Sequence, residues 1–281
     1  MHIMSWNIQA TRGCDGRFDT RRIINEIKSR SIPDVICLQE VSRYFPEMGG
    51  NDQLQALQAA FPEHEAVWSA AISWRHTDTI RREFGNLTLV KQPLLEDFRL
   101  HSLPRPPAEG LWQMPRTVIE TLIRTDQGIL RILNTHLAFH NRSERWQQLN
   151  YLNQICEQAS SRSHSPLAAN TAGCYTPAPD SEVTLLCGDL NLTSEDDDYL
   201  RFVGQNNWQD CWLYLNPEHK KSNKPRTPTC GCFDHQQWPE GAHCRDYFFI
   251  SPGFESHIKE MYINTQTDAS DHQPLSLRID V

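Results

Sequence analysis

Six short apolar strands, each with a polar or ionisable residue at one end, constrain this chain more than any other feature of its sequence. "HIMSWNIQ" alternates Ile3, Ser5 and Asn7 against Met4, Trp6 and Ile8, and "DVICLQEV" is an apolar run that closes on Glu40. "ILRILNTHLAF" ends on His136, "VTLLCGDLN" on Asp189 and Asn191, and Asp246 opens "DYFFIS". The pair Asp271 and His272 stands just ahead of the final strand, "PLSLRID". Such side chains are costly to bury singly. Gathering them at one rim of a packed sheet removes that cost, so the strands are expected to lie together with these ends converging.

Between the first two strands, "DTRRIINEIKSRS" places Ile23, Ile24 and Ile27 on one helical face, with Asp19 or Thr20 as cap and Pro33 beyond its end. The opening is therefore β-α-β. "NDQLQALQAAF" predicts a second amphipathic helix, and "SERWQQLNYLNQICEQA" the longest one, through Trp146, Leu149, Leu152, Ile155 and Cys156. "EHEAVWSA", "NLTLV", "TVIETLIRT" and "IKEMYINTQT" are further strand candidates. Residues around 160–181 are rich in Ser, Ala and Pro without periodicity and read as a surface insertion. With no repeat and no linker of domain length, residues 1–281 read as one α/β domain: two packed sheets flanked by helices.

Composition narrows the class. Hydrophobic residues are 38% and charged ones 22%, a profile of globular rather than disordered chains. No run approaches the roughly 18 apolar residues of a membrane span. "MHIMSWNIQA" lacks the basic and apolar regions of a secretory signal, so a cytoplasmic location is expected, and the nine cysteines then read mostly as reduced thiols. Cys37 and Cys187, inside apolar runs, are expected in the core. A net charge of −8 gives no general attraction for phosphate backbones. Basic residues do gather in "SWRHTDTIRR" (Arg75, Arg81, Arg82) and "HKKSNKPR" (Lys220, Lys221, Lys224, Arg226), where a local patch is open. Cys230, Cys232, His235, His243 and Cys244 offer soft ligands, but their spacing matches no common zinc site. That segment is expected to be a loop beside the site that shapes substrate access.

Each polar strand end has a plainer reading alone: Asn7 as an edge residue, Glu40 as a solvated strand end, His136 as a satisfied histidine, "GDLN" as a turn, Asp246 as a partner of Arg245. Together they point to one hard cation and one anionic substrate. Carboxylates and an amide suit Mg²⁺ or Mn²⁺, while two histidines with further carboxylates suit proton transfer and phosphate contact.

The ordered series "WNIQ", "LQE", "GN", "NTHL", "GDLN", "RDYFFIS" and "SDHQPL" resembles the endonuclease/exonuclease/phosphatase superfamily, which includes deoxyribonuclease I and exonuclease III, from residue 4 to about residue 279. The resemblance implies a four-layered α/β sandwich of two mostly antiparallel sheets, with divalent-metal-dependent cleavage of phosphate esters at the top. It implies Glu40, Asn7 and Asp271 as metal ligands, and Asp189 as the residue that orients or deprotonates water, with Asn191 beside it. His272 then contacts the scissile phosphate, Asp246 orients that ring, and His136 stabilises the pentacovalent phosphorus or assists the leaving group. Asn86 and Arg116 are candidate substrate-phosphate contacts, whereas Arg145, Gln148 and His140 read as structural or loop residues. The implied substrate is a phosphate ester, nucleic acid being the largest single possibility and a small phosphorylated metabolite or lipid headgroup the alternative. No protein partner is inferable. A catalytically inactive relative that binds phosphorylated ligands is disfavoured, because Glu40, Asp189, Asp246 and His272 are all present.

Overall fold

Two six-stranded sheets lie face to face, their facing surfaces filled by the apolar residues that strand alternation aims inward. A computed structural model describes residues 1–165, 173–175, 179–205, 208–220 and 226–281. The first sheet is built from β1 (His2–Asn7), β2 (Val35–Arg43), β3 (His64–Arg75) and β4 (Arg81–Lys91). The second holds β5 (Leu95–Ser102), β6 (Thr117–Thr125), β7 (Gly128–His136), β8 (Thr184–Asp189), β9 (Gln209–Asp210) and β10 (Asp246–Ile250). The chain then returns to the first sheet as β11 (Ile258–Ile263) and β12 (Leu275–Ile279). The spatial orders are β11, β12, β1, β2, β4, β3 and β5, β6, β7, β8, β10, β9. Among the described residues only β1 with β2 and β7 with β8 run parallel, and each of these pairs is joined through a helix.

Helices α1 (Thr20–Lys28) and α2 (Gln53–Ala60) cover the first sheet, and α3 (Arg142–Ser163) and α4 (Asp197–Gln205) the second. Asp19, Asp52 and Asn141 cap α1, α2 and α3 by accepting from backbone N–H groups, each worth about 1 kcal/mol. Three apolar interfaces result. Trp6 and Leu38 meet Ile23 and Leu57; Leu133 and Phe249 meet Leu149 and Phe202; Ile3, Cys37, Cys187 and Leu277 fill the space between the sheets. This is the four-layered sandwich, with Cys37 and Cys187 in its core.

Several elements depart from the sequence reading. β5 was hidden because it is an edge strand whose Phe98 and Leu100 face solvent, which blurs the alternation. β3 and β4 extend to Arg75 and from Arg81, forming a long hairpin. α3 continues to Ser163, and residues 166–172 and 176–178 of the expected insertion lie outside the described residues, as do Lys221 and Lys224. Among the described residues no helix is long and apolar enough to cross a membrane.

Candidate active site

Strand parity aims most of the site into the space between the sheets. Asn7 is in phase with Ile3, His136 with Leu130 and Ile132, Asp189 with Leu185 and Cys187, and Asp246 with Phe248 and Ile250, all members of the inter-sheet core. On β8, Asp189 pairs with His136 of β7 on one side and Asp246 of β10 on the other. Three ionisable groups thus stand abreast at one rim. Gly188 permits this approach: at φ +132° it has no Cβ, and one would lie 1.9 Å from the Thr135 carbonyl oxygen.

Glu40 is out of phase. Ile36 and Leu38 face the helix layer, and strict alternation would send Glu40 the same way. A bulge against β4 between Leu38 and Val41, with Glu40 at φ 58°, turns its side chain into the cleft instead. Asp271 and His272 precede β12 and are tied to β1, where Trp6 Nε1 donates to His272 O at 2.9 Å and Ser270 Oγ to Asn7 O at 2.8 Å.

The contacts form one network. Asn7 Nδ2 donates to Glu40 Oε1 and to Asp189 Oδ2, both at 3.0 Å. Asn191 N donates to Asp189 Oδ1 at 2.9 Å, and Asn191 Nδ2 to His136 Nε2 at 2.9 Å. His272 Nδ1 lies 2.8 Å from Asp246 Oδ2, while its Nε2 is 3.7 Å from Asp189 Oδ2. Thr229 Oγ1 donates to Asp246 Oδ2 at 2.7 Å. Asp271 Oδ2 accepts from Gln237 Nε2 at 2.8 Å and Trp238 Nε1 at 2.9 Å.

Charge separates the two histidines. Burial disfavours protonated His272, yet Asp246, Asp271 and Asp189 outweigh it and hold the ring well above the usual histidine range. His136 goes the other way, pushed well below that range by burial and then by the Arg116 charge. In the neutral His136 ring, Nε2 accepts from Asn191, which leaves the proton on Nδ1, 3.8 Å from Glu40 Oε1. Burial and then the Asp271 charge raise the Glu40 carboxyl above its ordinary value.

A cleft of about 510 Å³ is lined by Glu40, His136, Asp189, Asn191, Asp271 and His272. Arg116 lines it too, only 9% exposed, and its Nε is buried without a partner. Among the described residues its guanidinium makes no hydrogen bond or ion pair. Asn86 is not part of the lining. Its Nδ2 donates to Thr117 O at 3.0 Å and ties β4 to β6 across the sheets. Asp246 lies behind His272 rather than on the cleft wall. Arg145 and Gln148 brace the loop after β7 through the Ala138 and Phe139 backbone. His140 lines the cleft mouth.

The donor set fits a hard divalent cation. Glu40 and Asp271 are carboxylates whose charges oppose one another in a buried site, and a cation between them relieves that repulsion. Asp189, Asp246 and His272 also bring ligand atoms within 4.8 Å of one another, but the His272 contact to Asp246 and the Asn7 and Asn191 donations to Asp189 already engage them. No soft-ligand set forms in the Cys230 to Cys244 loop among the described residues: His243 directs Nδ1 to Gly241 O and Nε2 to Cys230 and Arg245. That loop instead supplies Gln237, Trp238 and the preceding Thr229 to the site, three residues that the sequence reading did not single out. Arg226, read as a candidate backbone contact, is buried against Asp210 at 2.6 Å and is not free to meet a substrate. Arg75, Arg81 and Arg82 sit on the hairpin of β3 and β4, outside the cleft lining.

Comparison with curated proteins finds no match. Solved structures do match. A mannosyl-6-phosphatase from Bacteroides thetaiotaomicron is 17% identical, with all of both chains covered and a TM-score of 0.68. An endonuclease/exonuclease/phosphatase from Beutenbergia cavernae is 19% identical over 99% of this chain and 71% of the other, with a TM-score of 0.67. The human nocturnin catalytic domain, solved with a bound sulfate anion, is 19% identical over 100% of this chain and 94% of its own, with a TM-score of 0.60. At these identities the likeness is one of fold. Members of the family whose sequence model fits residues 4–272 are phosphoesterase hydrolases, generally with divalent metals. A match of that extent, on this fold, makes the chain a member of the endonuclease/exonuclease/phosphatase family.

Proposed function

We propose that the protein hydrolyses phosphate esters, phosphodiesters foremost, by direct attack of water, with Mg²⁺ or Mn²⁺ held by Glu40 and Asp271 and with Asn7 beside them. The observation that supports this most is the convergence of three buried or half-buried carboxylates, Glu40, Asp189 and Asp271, two histidines of opposite charge preference and an unpaired arginine on one cleft, with Asp246 behind His272. The cation supplies positive charge where negative charge develops on the phosphate oxygens. Asp189, fixed by Asn7 and Asn191, orients the attacking water and takes its proton. His272, protonated and aligned by Asp246, donates from Nε2 to a phosphate oxygen. Neutral His136 keeps its Nδ1 proton beside Glu40 and, with Asn191, fills the far side of the site. Arg116 offers its unpaired guanidinium to a further phosphate oxygen.

The test is a panel of plasmid DNA, oligoribonucleotides, bis(p-nitrophenyl) phosphate and inositol phosphates, assayed with Mg²⁺, Mn²⁺ or EDTA. EDTA should abolish turnover, and Asp189→Asn and His272→Ala should each lower it about 10²- to 10⁴-fold with the fold intact. Full activity after metal stripping, or a variant with near-wild-type turnover, overturns the corresponding role. Rapid turnover of an inositol or sugar monophosphate with every diester inert would move the reading to a phosphatase.

A further inference from the structure

We propose that Trp112, Phe139 and His140 form a stacking subsite for a flat aromatic ring on the organic arm of the substrate, as in a nucleoside phosphate or a short single-stranded ester. This rests on the phosphoesterase reading and narrows its substrate class. A tryptophan that is 81% exposed is an unusual use of a large apolar ring, and Trp112 stands so while lining the same cleft as the ionisable cluster. Phe139, also on that wall, is 42% exposed.

The rings form a series leading from the centre to the rim. Trp238 lies edge-on to His272 with centroids 6.0 Å apart, and Phe139 edge-on to Trp238 at 6.0 Å. His140 follows Phe139 at 4.9 Å, and Trp112 follows His140 at 5.6 Å. Arg245 lies 4.8 Å over Trp238 and 5.2 Å over Phe139, so the open ring surface belongs to Trp112, His140 and the part of Phe139 that stays exposed. The segment that carries Trp112 also carries Arg116, the buried guanidinium without a partner, which aims into this cleft. An anionic group on Arg116 and a flat ring on Trp112 are thus called for by one short stretch of chain.

Chemistry selects the occupant. Every nucleobase has a π-face, and stacking on exposed aromatic side chains tolerates any base. Bases inside a duplex are already stacked and do not reach such a wall without being flipped out. The net charge of −8 further disfavours a long polyanion. A ring-free sugar or polyol ester leaves the aromatic wall uncovered.

The experiment uses matched pairs: a thymidyl dinucleotide against its abasic counterpart, and adenosine 5′-phosphate against ribose 5-phosphate. In whichever pair is hydrolysed, the ring-bearing member should show about 10- to 100-fold higher kcat/KM. Trp112→Ala and Phe139→Ala together should remove that preference through KM and leave the ring-free member within about 2-fold. A second readout does not need turnover: adenosine 5′-phosphate should quench tryptophan fluorescence of the wild-type chain, ribose 5-phosphate should not, and Trp112→Ala should lose the response. Equal rates within a pair, an equal effect of the substitutions on both members, hydrolysis confined to ring-free esters, or absent quenching each overturns the subsite. Hydrolysis of no phosphate ester at all, with ring-dependent quenching intact, would refute the catalytic reading and keep the subsite.

Discussion

Replacing Trp238 with phenylalanine removes a single N–H from the site while keeping an aromatic ring between His272 and Phe139. That N–H is one of two donors on Asp271 Oδ2, the other being Gln237 Nε2, and each carboxylate oxygen has two lone-pair directions. Oδ2 is therefore saturated. Among the described residues Oδ1 carries only a 3.3 Å contact from Ser270 Oγ, which leaves it the oxygen available to a cation. Hydrogen bonds to charged groups contribute about 1.5–3 kcal/mol, a ceiling of roughly 10- to 150-fold in affinity. Because Gln237 keeps donating, Trp238→Phe is expected near the low end, about 10-fold weaker Mn²⁺ binding, as for partners that orient metal ligands elsewhere. Electron paramagnetic resonance of free Mn²⁺ in a titration measures this directly, and the Mg²⁺ dependence of turnover measures it independently. Turnover at saturating metal should return to within about 3-fold of wild type, and a thermal melt should show the fold retained. Unchanged Mn²⁺ affinity, or a loss that saturating metal does not restore, would refute the reasoning.

Glu120 is 1% exposed and holds Arg131 at 2.9 Å, Arg99 at 2.8 Å and His101 at 2.7 Å, outside the cleft lining. Glu120→Gln should cost about 3 kcal/mol in urea denaturation at pH 7 and spare turnover. Burial opposes the Glu120 charge, but His101, Arg131 and Arg99 hold its carboxyl down from 4.5 to about 2. Its contribution is therefore complete above about pH 4.5 and lost as the pH falls toward 2, so the gap between wild type and variant should shrink at pH 3. An equal gap at pH 3 and pH 7 would contradict this. Gly188→Ala sets a Cβ 1.9 Å from the Thr135 carbonyl oxygen and must part β7 from β8 beside Asp189 and His136. A lowered Tm with loss of turnover is expected, and an unchanged melt would show that the strands yield more easily than close packing implies.

Most of the candidate site was legible because β-strands repeat every two residues. Asn7, His136, Asp189 and Asp246 each fall in phase with apolar neighbours, so the alternation that aims Ile3, Ile132, Cys187 and Phe248 into the core also aims these four into the same space. Helices α1, α2 and α3 were legible for a similar reason, through their apolar faces and, for α1, the Asp19 cap, whereas the caps Asp52 and Asn141 and the whole of α4 emerged only in the structure. β5 was not, since an edge strand has one side in water and no need to alternate.

What the local pattern decided by itself was the layering and the inward aim of the polar strand ends. Tertiary structure alone decided the rest. The bulge that turns Glu40 against its own parity depends on β4 pairing across it. The donors that saturate Asp271 come from Gln237 and Trp238, 34 and 33 residues away in an irregular loop with no period to read. Arg226 became an ion-pair partner of Asp210, and Arg116 was left unpaired in the cleft, although both stand in the same Pro-Arg-Thr triplet. Period and polarity act over neighbouring residues and are written along the chain, whereas register shifts and the pairing of distant charges depend on which surfaces meet once the sheets have packed.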